Sequence, residues 1–382
     1  MTGPDSPLVV HVITALGTGG AERQLQWLAH RSGHRSHVIA LYGDGPVADA
    51  MRADGTTVEV LGMAGAAKLT ALPRLVARLR RLRPAVVHVH LLAAQLWGIP
   101  AARLAGIRTV VSSEHSLMDT TIENRPLTAR LRRIYRRLES WTAHTVAVSS
   151  ATRDRLLRWD VPADRITVVD NGIDFDALAF DPGLRRDFRA ELGIADDVVL
   201  IGGIGRLEPV KRFPQLLRAL APDLGPLRQL VLVGAGPLEE SLRSTAAELG
   251  LGDVVHVLGA RGDVRSVLSG LDLLISPSRD ETFGMAVVEG VGAGLPVVRA
   301  QCPALDELGE DVPGVITLPT DADEKDEAAA ILAGSRALAP TDVAPGARRP
   351  VPDGLRRRYG IAGVTARIDG LYDTLLAGAA RR

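Results

Sequence analysis

The chain has one cysteine, three lysines, 3% aromatic residues and no net charge, and each shortage excludes something. A single thiol, Cys302, cannot close an internal disulfide, which suits a reducing compartment. Basic and acidic residues balance at 45 each, so the basic excess with which proteins hold nucleic-acid backbones is missing and no nucleic-acid partner is expected. No apolar run approaches the roughly 18 residues that a membrane span requires. The opening Met1 to Leu8 is polar, carries two prolines and lacks the basic and apolar stretches of a secretory signal. A cytoplasmic location is expected. What is present, 382 residues with 46% hydrophobic content, is enough apolar material for two cores.

Strand-like apolar runs alternate with helical patterns along the sequence, as parallel α/β layers require. In the first half the strands are expected at Val9 to Thr14, His37 to Leu41, Thr57 to Leu61, Val86 to His90, Thr109 to Ser113 and Thr145 to Val148. In the second half they are expected at Ile166 to Val169, Val198 to Gly202, Gln229 to Val233, Val254 to Leu258, Leu271 to Ile275 and Pro296 to Arg299, with Val315 to Leu318 as a short edge. Each set makes one Rossmann-like domain. Asn171 to Gly193 lacks steady periodicity and reads as a linker with a short helix around Leu184 to Glu191, whereas Val364 to Leu376 has apolar residues at helical spacing. Open sheets of this kind bind ligands at the carboxyl ends of their strands, so two such domains facing one another define one cleft.

Two stretches at expected strand ends carry chemistry. Asp280-Glu281-Thr282-Phe283-Gly284-Met285 follows the strand Leu271 to Ile275 and opens an apolar helix that contains Glu289. Two carboxylates then flank a helix N-terminus whose free N–H groups favour an anion, an arrangement that can hold a charged, hydroxyl-rich ligand. The competing reading makes Glu281 a helix cap and Glu289 a solvated residue. The second stretch runs from Gly205-Arg206 to Lys211, between a strand and the helical pattern Phe213 to Leu220. In a chain that uses lysine only at 68, 211 and 325, Lys211 asks for a reason. With Arg206 it makes a phosphate cradle, the arginine gripping planar oxygens and the lysine adding a compact charge; the rival is a solvated basic loop. Gly17 to Gly20, after the first strand, let backbone approach a ligand that a Cβ would exclude, or else make a simple tight turn.

These segments, with Ser112-Ser113-Glu114-His115, Ala147-Val148-Ser149-Ser150, Val169-Asp170-Asn171-Gly172-Ile173-Asp174, Val233-Gly234-Ala235-Gly236-Pro237, Val257-Leu258-Gly259 and Ser276-Pro277-Ser278, follow one another in an order that resembles the retaining glycosyltransferases of family four. The resemblance covers nearly the whole chain and implies the α/β fold called GT-B. It implies a first, acceptor domain over residues 1–170, with a C-terminal helix, 364–382, packing back on it. A linker at 171–193 and a nucleotide-sugar donor domain over 194–363 would follow. Catalytic roles then fall to His115, Arg206, Lys211 and Glu281. Donor-binding roles fall to Gly19, Gly20, Arg261, Phe283, Gly284, Met285 and Glu289, with Glu289 on the ribose and the Arg261 loop at the base. His88, His90 and His144 lack the motif and read as structural, with His90 a weaker cleft candidate. One departure stands out: where the family has a glycine pair before Pro-Glu, this chain reads Ala300-Gln301-Cys302-Pro303, with Glu307 keeping the acidic place.

The histidines show no metal-like spacing with carboxylates, and Asp321-Ala322-Asp323 lies in a late polar loop, so no metal and no cofactor are expected. The resemblance implies metal-independent, retaining transfer of a sugar from a nucleoside diphosphate, UDP-N-acetylglucosamine or UDP-glucose leading, to an acceptor hydroxyl. The acceptor would be a glycan, a lipid-linked intermediate, or a small molecule in natural-product or antibiotic biosynthesis. The alternative is a catalytically degenerate sugar-nucleotide-binding or regulatory protein. Arg74 to Arg83 and Arg130 to Arg137 are amphipathic and basic, as expected either of helices in peripheral contact with the inner membrane face or of ordinary surface helices rich in arginine.

Overall fold

The computed structural model describes residues 6–123, 125–338 and 346–381. The chain divides into two compact units, one formed by the residues up to Gly172 together with those from Arg358 onward, the other by Ile173–Arg357.

The first unit is built on a seven-stranded parallel sheet: β1 Leu8–Ile13, β2 Arg35–Ala40, β3 Thr57–Val60, β4 Val86–His90, β5 Val110–Glu114, β6 His144–Ala147 and β7 Ile166–Val168, in the order β3-β2-β1-β4-β5-β6-β7. The sequence pattern assigns Ile166 to Val169 to the second half; the structure corrects this, pairing Thr145 with Ile166 and Ala147 with Val168, so that β7 is an edge of the first sheet. Three apolar residues at a boundary say nothing about which sheet they join.

Parallel strands must be covered on both faces, and β1, β4 and β5 show how. Val10, Val12, Val87, Val89 and Val110 point to one side, where the helices Lys68–Leu82 and Leu92–Leu104 bury them. Val9, Val86, Val111 and Val146 point to the other, against Leu28 and against Val364, Ile368 and Tyr372 of the C-terminal helix Ile361–Ala380. The terminal helix thus returns to the first unit, as the resemblance implies. Burial of each large apolar side chain is worth roughly 1.5–3 kcal/mol. Polar contacts fix the register: Asp369 accepts from Ser32 Oγ at 2.6 Å and from the Gly33 amide at 2.8 Å. At Gly172 an added Cβ would lie 2.5 Å from Ile361 Cδ1, so the Asp170-Asn171-Gly172 turn closes against the start of that helix.

On this second face the side chains change character along the strands. Residues 9, 86 and 111 are valines; further toward the carboxyl ends come His11, His88, His90 and Ser113, then His115 just beyond β5. Because side chains alternate, His88 and His90 share a face, and the pairing of His11 with His88 brings the third imidazole alongside. His88 is held by Tyr372 Oη at 2.6 Å and Ser113 Oγ at 2.7 Å. His11, His88 and His90 are buried.

The second unit has six parallel strands, β8 Val199–Ile204, β9 Arg228–Val233, β10 Val255–Val257, β11 Leu273–Ser276, β12 Val297–Arg299 and β13 Val315–Thr317, in the order β10-β9-β8-β11-β12-β13. The helix Pro182–Glu191, inside the expected linker, belongs to this unit. Asp181 caps it by accepting from the amides of Gly183 and Leu184, and its buried Arg185 and Arg189 clasp the buried Asp272 at 2.8 and 3.1 Å. The loops that leave β8 and β9 touch through backbone. At Gly234, φ is +149° and an added Cβ would sit 1.8 Å from the Gly205 carbonyl, so only glycine fits.

Burial lowers the pKa of His11 to about 3 and holds His88 and His90 well below the usual imidazole value. In the unfolded chain these rings protonate near 6.5, whereas the folded chain refuses the proton. The stability they contribute is therefore complete above about pH 6.5 and is lost as pH falls toward 3, by about 1.4 kcal/mol per pH unit per ring. Urea denaturation at pH 7.5, 6 and 5 should show a falling midpoint, in a window above the ordinary carboxylate range. A flat midpoint between pH 6.5 and 5 would mean that the imidazoles are solvated in the native state.

Candidate functional site

In the second unit, β8 and β11 are neighbours, so the loops at their carboxyl ends emerge side by side. Lys211 from the first loop meets Glu281 from the second, Nζ to Oε1 at 2.6 Å, with the lysine side chain 18% exposed and the carboxylate 9%. Residues 70 apart in sequence are thereby brought into one charge-assisted contact. The adjacent Arg212, at φ +57°, turns the other way and pairs with Glu327, which also receives Arg279 at 3.2 Å. Two neighbouring cations thus serve two different carboxylates. Arg206 remains at the surface, 45% exposed, bonded to Glu208 at 2.8 Å.

The helix that follows, Met285–Gly292, starts at Gly284, whose φ is +93°. Glu289 is not solvated but buried at 5% exposure. The solvated Glu289 of the competing reading therefore does not describe the structure. Phe283 is buried, and its carbonyl receives the Ala304 amide at 3.0 Å. The segment where the chain departs from the family pattern buttresses this loop: Gln301 Oε1 accepts from the Glu281 amide at 2.7 Å, and an added Cβ on Gly284 would lie 2.5 Å from Cys302 Sγ. Burial pushes the Cys302 thiol up to about 12, so it stays protonated and acts as a small packing group.

Arg261, expected to stack on a base, is otherwise occupied. Its guanidinium forks to Glu191 at 2.5 and 3.0 Å and to Asp263 at 2.9 and 2.7 Å, and lies 5.3 Å from the centroid of the Phe188 ring. These carboxylates hold its pKa above the usual arginine value. Of the second-unit residues singled out in the sequence, Lys211 and Glu281 come together, Gly284 packs on Cys302, and the Arg261 side chain is committed to a structural fork.

In the first unit, Gly19 precedes the helix Gly20–Arg31 in extended conformation, and the Glu22 carboxylate lies over that N-terminus, with Oε2 2.3 Å from where a Cβ on Gly19 would stand. A Cβ on Gly17 would meet nothing within 4 Å, so packing alone does not demand glycine there. His115 follows β5 on a loop wrapped round the buried carboxylate of Glu114. That carboxylate accepts from the amides of Ser116 and Leu117 at 2.8 and 2.9 Å, and from Tyr135 Oη at 2.9 Å. His115 keeps partial exposure, yet the surrounding chain strips enough water to lower its pKa to about 4. Its imidazole is neutral at pH 7.

His11, His88 and His90 each offer a nitrogen within 4.8 Å of the others, a grouping able to hold a transition metal. Both nitrogens of His88 are engaged by Tyr372 and Ser113, so the trio as built is a hydrogen-bonded array. Asp321 and Asp323 are exposed, and Asp323 Oδ1 accepts from the Asp326 amide at 2.9 Å. Sequence reasoning gave no role to Glu114, Gln301 or Glu327. A glutamate at the end of the strand Val110–Glu114 was a usable sign for the first; nothing local marks what the other two hold.

Residues 18–177 match the family model described as Glycosyltransferase Family 4, and residues 185–334 match Glycosyl transferases group 1. A D-inositol 3-phosphate glycosyltransferase of Saccharomonospora viridis is 32% identical over 243 residues, 60% of this chain and 55% of that protein. The chain thus spans about half the length of that relative. The putative glycosyltransferase EpsF of Bacillus subtilis is 27% identical over 323 residues, 82% of each chain. Among solved structures, HepE of Anabaena in complex with UDP and glucose superposes with a TM-score of 0.80 at 21% identity, over 96% of this chain and 99% of that one, a likeness of fold. With two parallel Rossmann-like sheets, a terminal helix returned to the first and adjoining family matches that leave out little more than the chain ends and a short linker, the chain belongs to glycosyltransferase family 4 and has the GT-B fold.

Proposed function

We propose that the protein is a retaining glycosyltransferase that moves a hexose-type sugar from a UDP-sugar to an acceptor hydroxyl. The observation that carries this reading is the Lys211–Glu281 contact at 2.6 Å, made by loops at the carboxyl ends of adjacent strands, one of which leads into the N-terminus of the helix Met285–Gly292. A lysine held this deep would lose hydration without compensation if it had no partner. Glu281 keeps it paired and aimed. When a diphosphate takes over the lysine, the carboxylate turns to the sugar hydroxyls, so one ion pair becomes two ligand contacts. Arg206 and the amides at the start of the helix Met285–Gly292 add positive potential where the leaving phosphate gains charge, stabilising the transition state more than the ground state. Glu289 takes the ribose, with Gly284 and Met285 lining the turn and Phe283 fixing it from the core.

Retention follows from attack on the face the leaving group departs. The anomeric carbon–oxygen bond breaks, the acceptor oxygen bonds to the same face, and the leaving phosphate oxygen takes the acceptor proton. No protein nucleophile enters. His115, with Gly19 and Gly20, is assigned to the sugar and diphosphate; a neutral imidazole suits hydrogen bonding to hydroxyls without adding charge. UDP is favoured because HepE was solved with UDP and glucose, and a cyclitol or glycan hydroxyl is favoured as acceptor because D-inositol 3-phosphate glycosyltransferases recur among the relatives. The alternative of a degenerate binding protein predicts UDP binding with no donor hydrolysis.

Lys211→Ala and Arg206→Ala should each raise the barrier by about 2.7–4 kcal/mol at saturating donor, as loss of an oxyanion contact does, with folding retained. Wild-type turnover in either variant would remove it from the cradle. Glu281→Gln separates the two halves of the pair: UDP should bind at least as tightly, because Lys211 loses its internal competitor, while sugar transfer falls. Calorimetric titration with UDP alongside turnover reads both, and weaker UDP binding would contradict the exchange of partners. With cations supplied by side chains, turnover in excess EDTA should equal that with added magnesium or manganese, and a complete metal requirement would overturn the mechanism.

A further inference from the structure

A second carboxylate touches both loops of the Lys211–Glu281 contact. Glu327, on the helix Glu324–Leu338, has a side chain 2% exposed. Arg212, next to Lys211, donates to both of its oxygens, from Nε to Oε1 at 3.2 Å and from Nη2 to Oε2. Arg279, two residues before Glu281, brings Nε to 3.2 Å from the same Oε1 and donates from Nη2 to the Ala322 carbonyl at 2.8 Å. One buried carboxylate thus bridges guanidiniums from the loops that leave β8 and β11.

The base of this bridge is firm. Ile331, one helical turn beyond Glu327, is buried in the core of the second unit with Phe213, Leu216 and Val298. An added Cβ on Gly334 would lie 3.3 Å from the Val298 methyls, so the helix lies directly on β12. Burying a carboxylate is costly unless it is paired and hydrogen-bonded, and a guanidinium fork fixes direction as well as distance. Arg212 itself has φ +57° and ψ 28°, a left-handed conformation that costs an arginine energy and persists where contacts over-determine it. That turn sends two neighbouring side chains apart, Lys211 to Glu281 and Arg212 to Glu327.

Two direct ties also join the loops: the Lys211–Glu281 contact, and a hydrogen bond from Ser278 Oγ to the Val210 carbonyl at 3.1 Å. On the reading proposed above, a diphosphate draws Lys211 away from Glu281. The first tie is then lost just when the spacing of the two loops matters to the reaction. The Glu327 bridge uses neither Lys211 nor Glu281, so it outlasts the exchange.

We propose that Glu327 is a positioning residue that holds the Lys211 loop and the Glu281 loop in register through Arg212 and Arg279, including when a ligand separates Lys211 from Glu281. The consequence for transfer rests on the diphosphate reading of Lys211, whereas the bridge between the loops does not. The phosphate and the sugar of one donor are then met at a fixed separation, and a misplacement of about 1 Å is enough to cost about a hundredfold in rate.

Amide hydrogen exchange of the full chain tests the bridge without substrate. In Glu327→Gln the amides of residues 205–212 and of 278–284 should both exchange faster than in the unaltered protein, with those of β8 and β11 unchanged. Acceleration of neither loop, or of one alone, would overturn the proposal. If Glu327→Gln fails to fold, the double variant Arg212→Gly, Arg279→Ala takes its place in the same measurement. Arg212→Gly keeps the turn, because glycine adopts φ +57° freely, and removes only one arm of the bridge. In UDP-glucose hydrolysis Arg212→Gly and Arg279→Ala should each lose about tenfold in kcat, with UDP affinity by calorimetry within about threefold, since the transition state is less tolerant of misplacement than bound UDP. The double variant should lose no more than either single one, because cutting either arm breaks the same bridge. Multiplied losses of about a hundredfold in the double variant would mark two independent roles and overturn the proposal, as would full kcat in Arg212→Gly. UDP binding without hydrolysis in the unaltered protein would instead fault the enzymatic reading, and the exchange rates then decide the bridge alone.

Discussion

A parallel sheet covered on both faces has only its strand ends left for polar work, and that constraint organises this protein. In β1, β4 and β5 the valines of one parity, Val10, Val12, Val87, Val89 and Val110, are packed by two helices, while the other parity opens on Val9, Val86 and Val111 and turns polar at His11, His88, His90 and Ser113. Histidine tolerates such a setting because it can shed its charge, which lysine or glutamate could do only at far greater cost. The imidazoles inside the first unit are accordingly held uncharged, while the Lys211–Glu281 pair of the second unit stands at the loops beyond β8 and β11.

Much of this was legible in the sequence, for reasons that differ by element. Long alternations of apolar run and helical pattern fix the number of strands, and twelve of the thirteen expected strands lie in the unit their order suggests. Ile166–Val168 did not, because three residues carry no information about their partner strand. Lys211 was conspicuous because the chain otherwise writes arginine, and Glu281 because it precedes a glycine at a helix start. Their mutual contact was not visible: it depends on β8 and β11 being adjacent, a fact of sheet order. Arg261 illustrates the opposite failure. Asp263, two residues on, is a competing carboxylate within the motif itself, but Glu191 reaches Arg261 from the helix Pro182–Glu191 and no local pattern announces it.

The departure from the family pattern at Ala300 to Pro303 has a physical reading. A glycine pair leaves room and freedom near the ligand. Here Gln301 and Cys302 fill that room, one binding the Glu281 amide and the other packing on Gly284. The loop that carries Glu281 is consequently braced from behind by side chains rather than by backbone alone.

The return of the C-terminal helix to the first sheet has a consequence for how the chain is made. Val9, Val86, Val111 and Val146 lie in sequence well before Val364, Ile368 and Tyr372, which cover them. At ribosomal rates of about 5–20 residues per second, roughly 10 to 40 s separate emergence of the last first-sheet strand from emergence of its cover. During that interval one face of a parallel sheet is exposed on the nascent chain, while Ile173–Arg357 already holds everything its own core needs. The unit begun first is therefore the one completed last, and the final twenty residues decide when its apolar face ceases to be a target for chaperones or for other nascent chains.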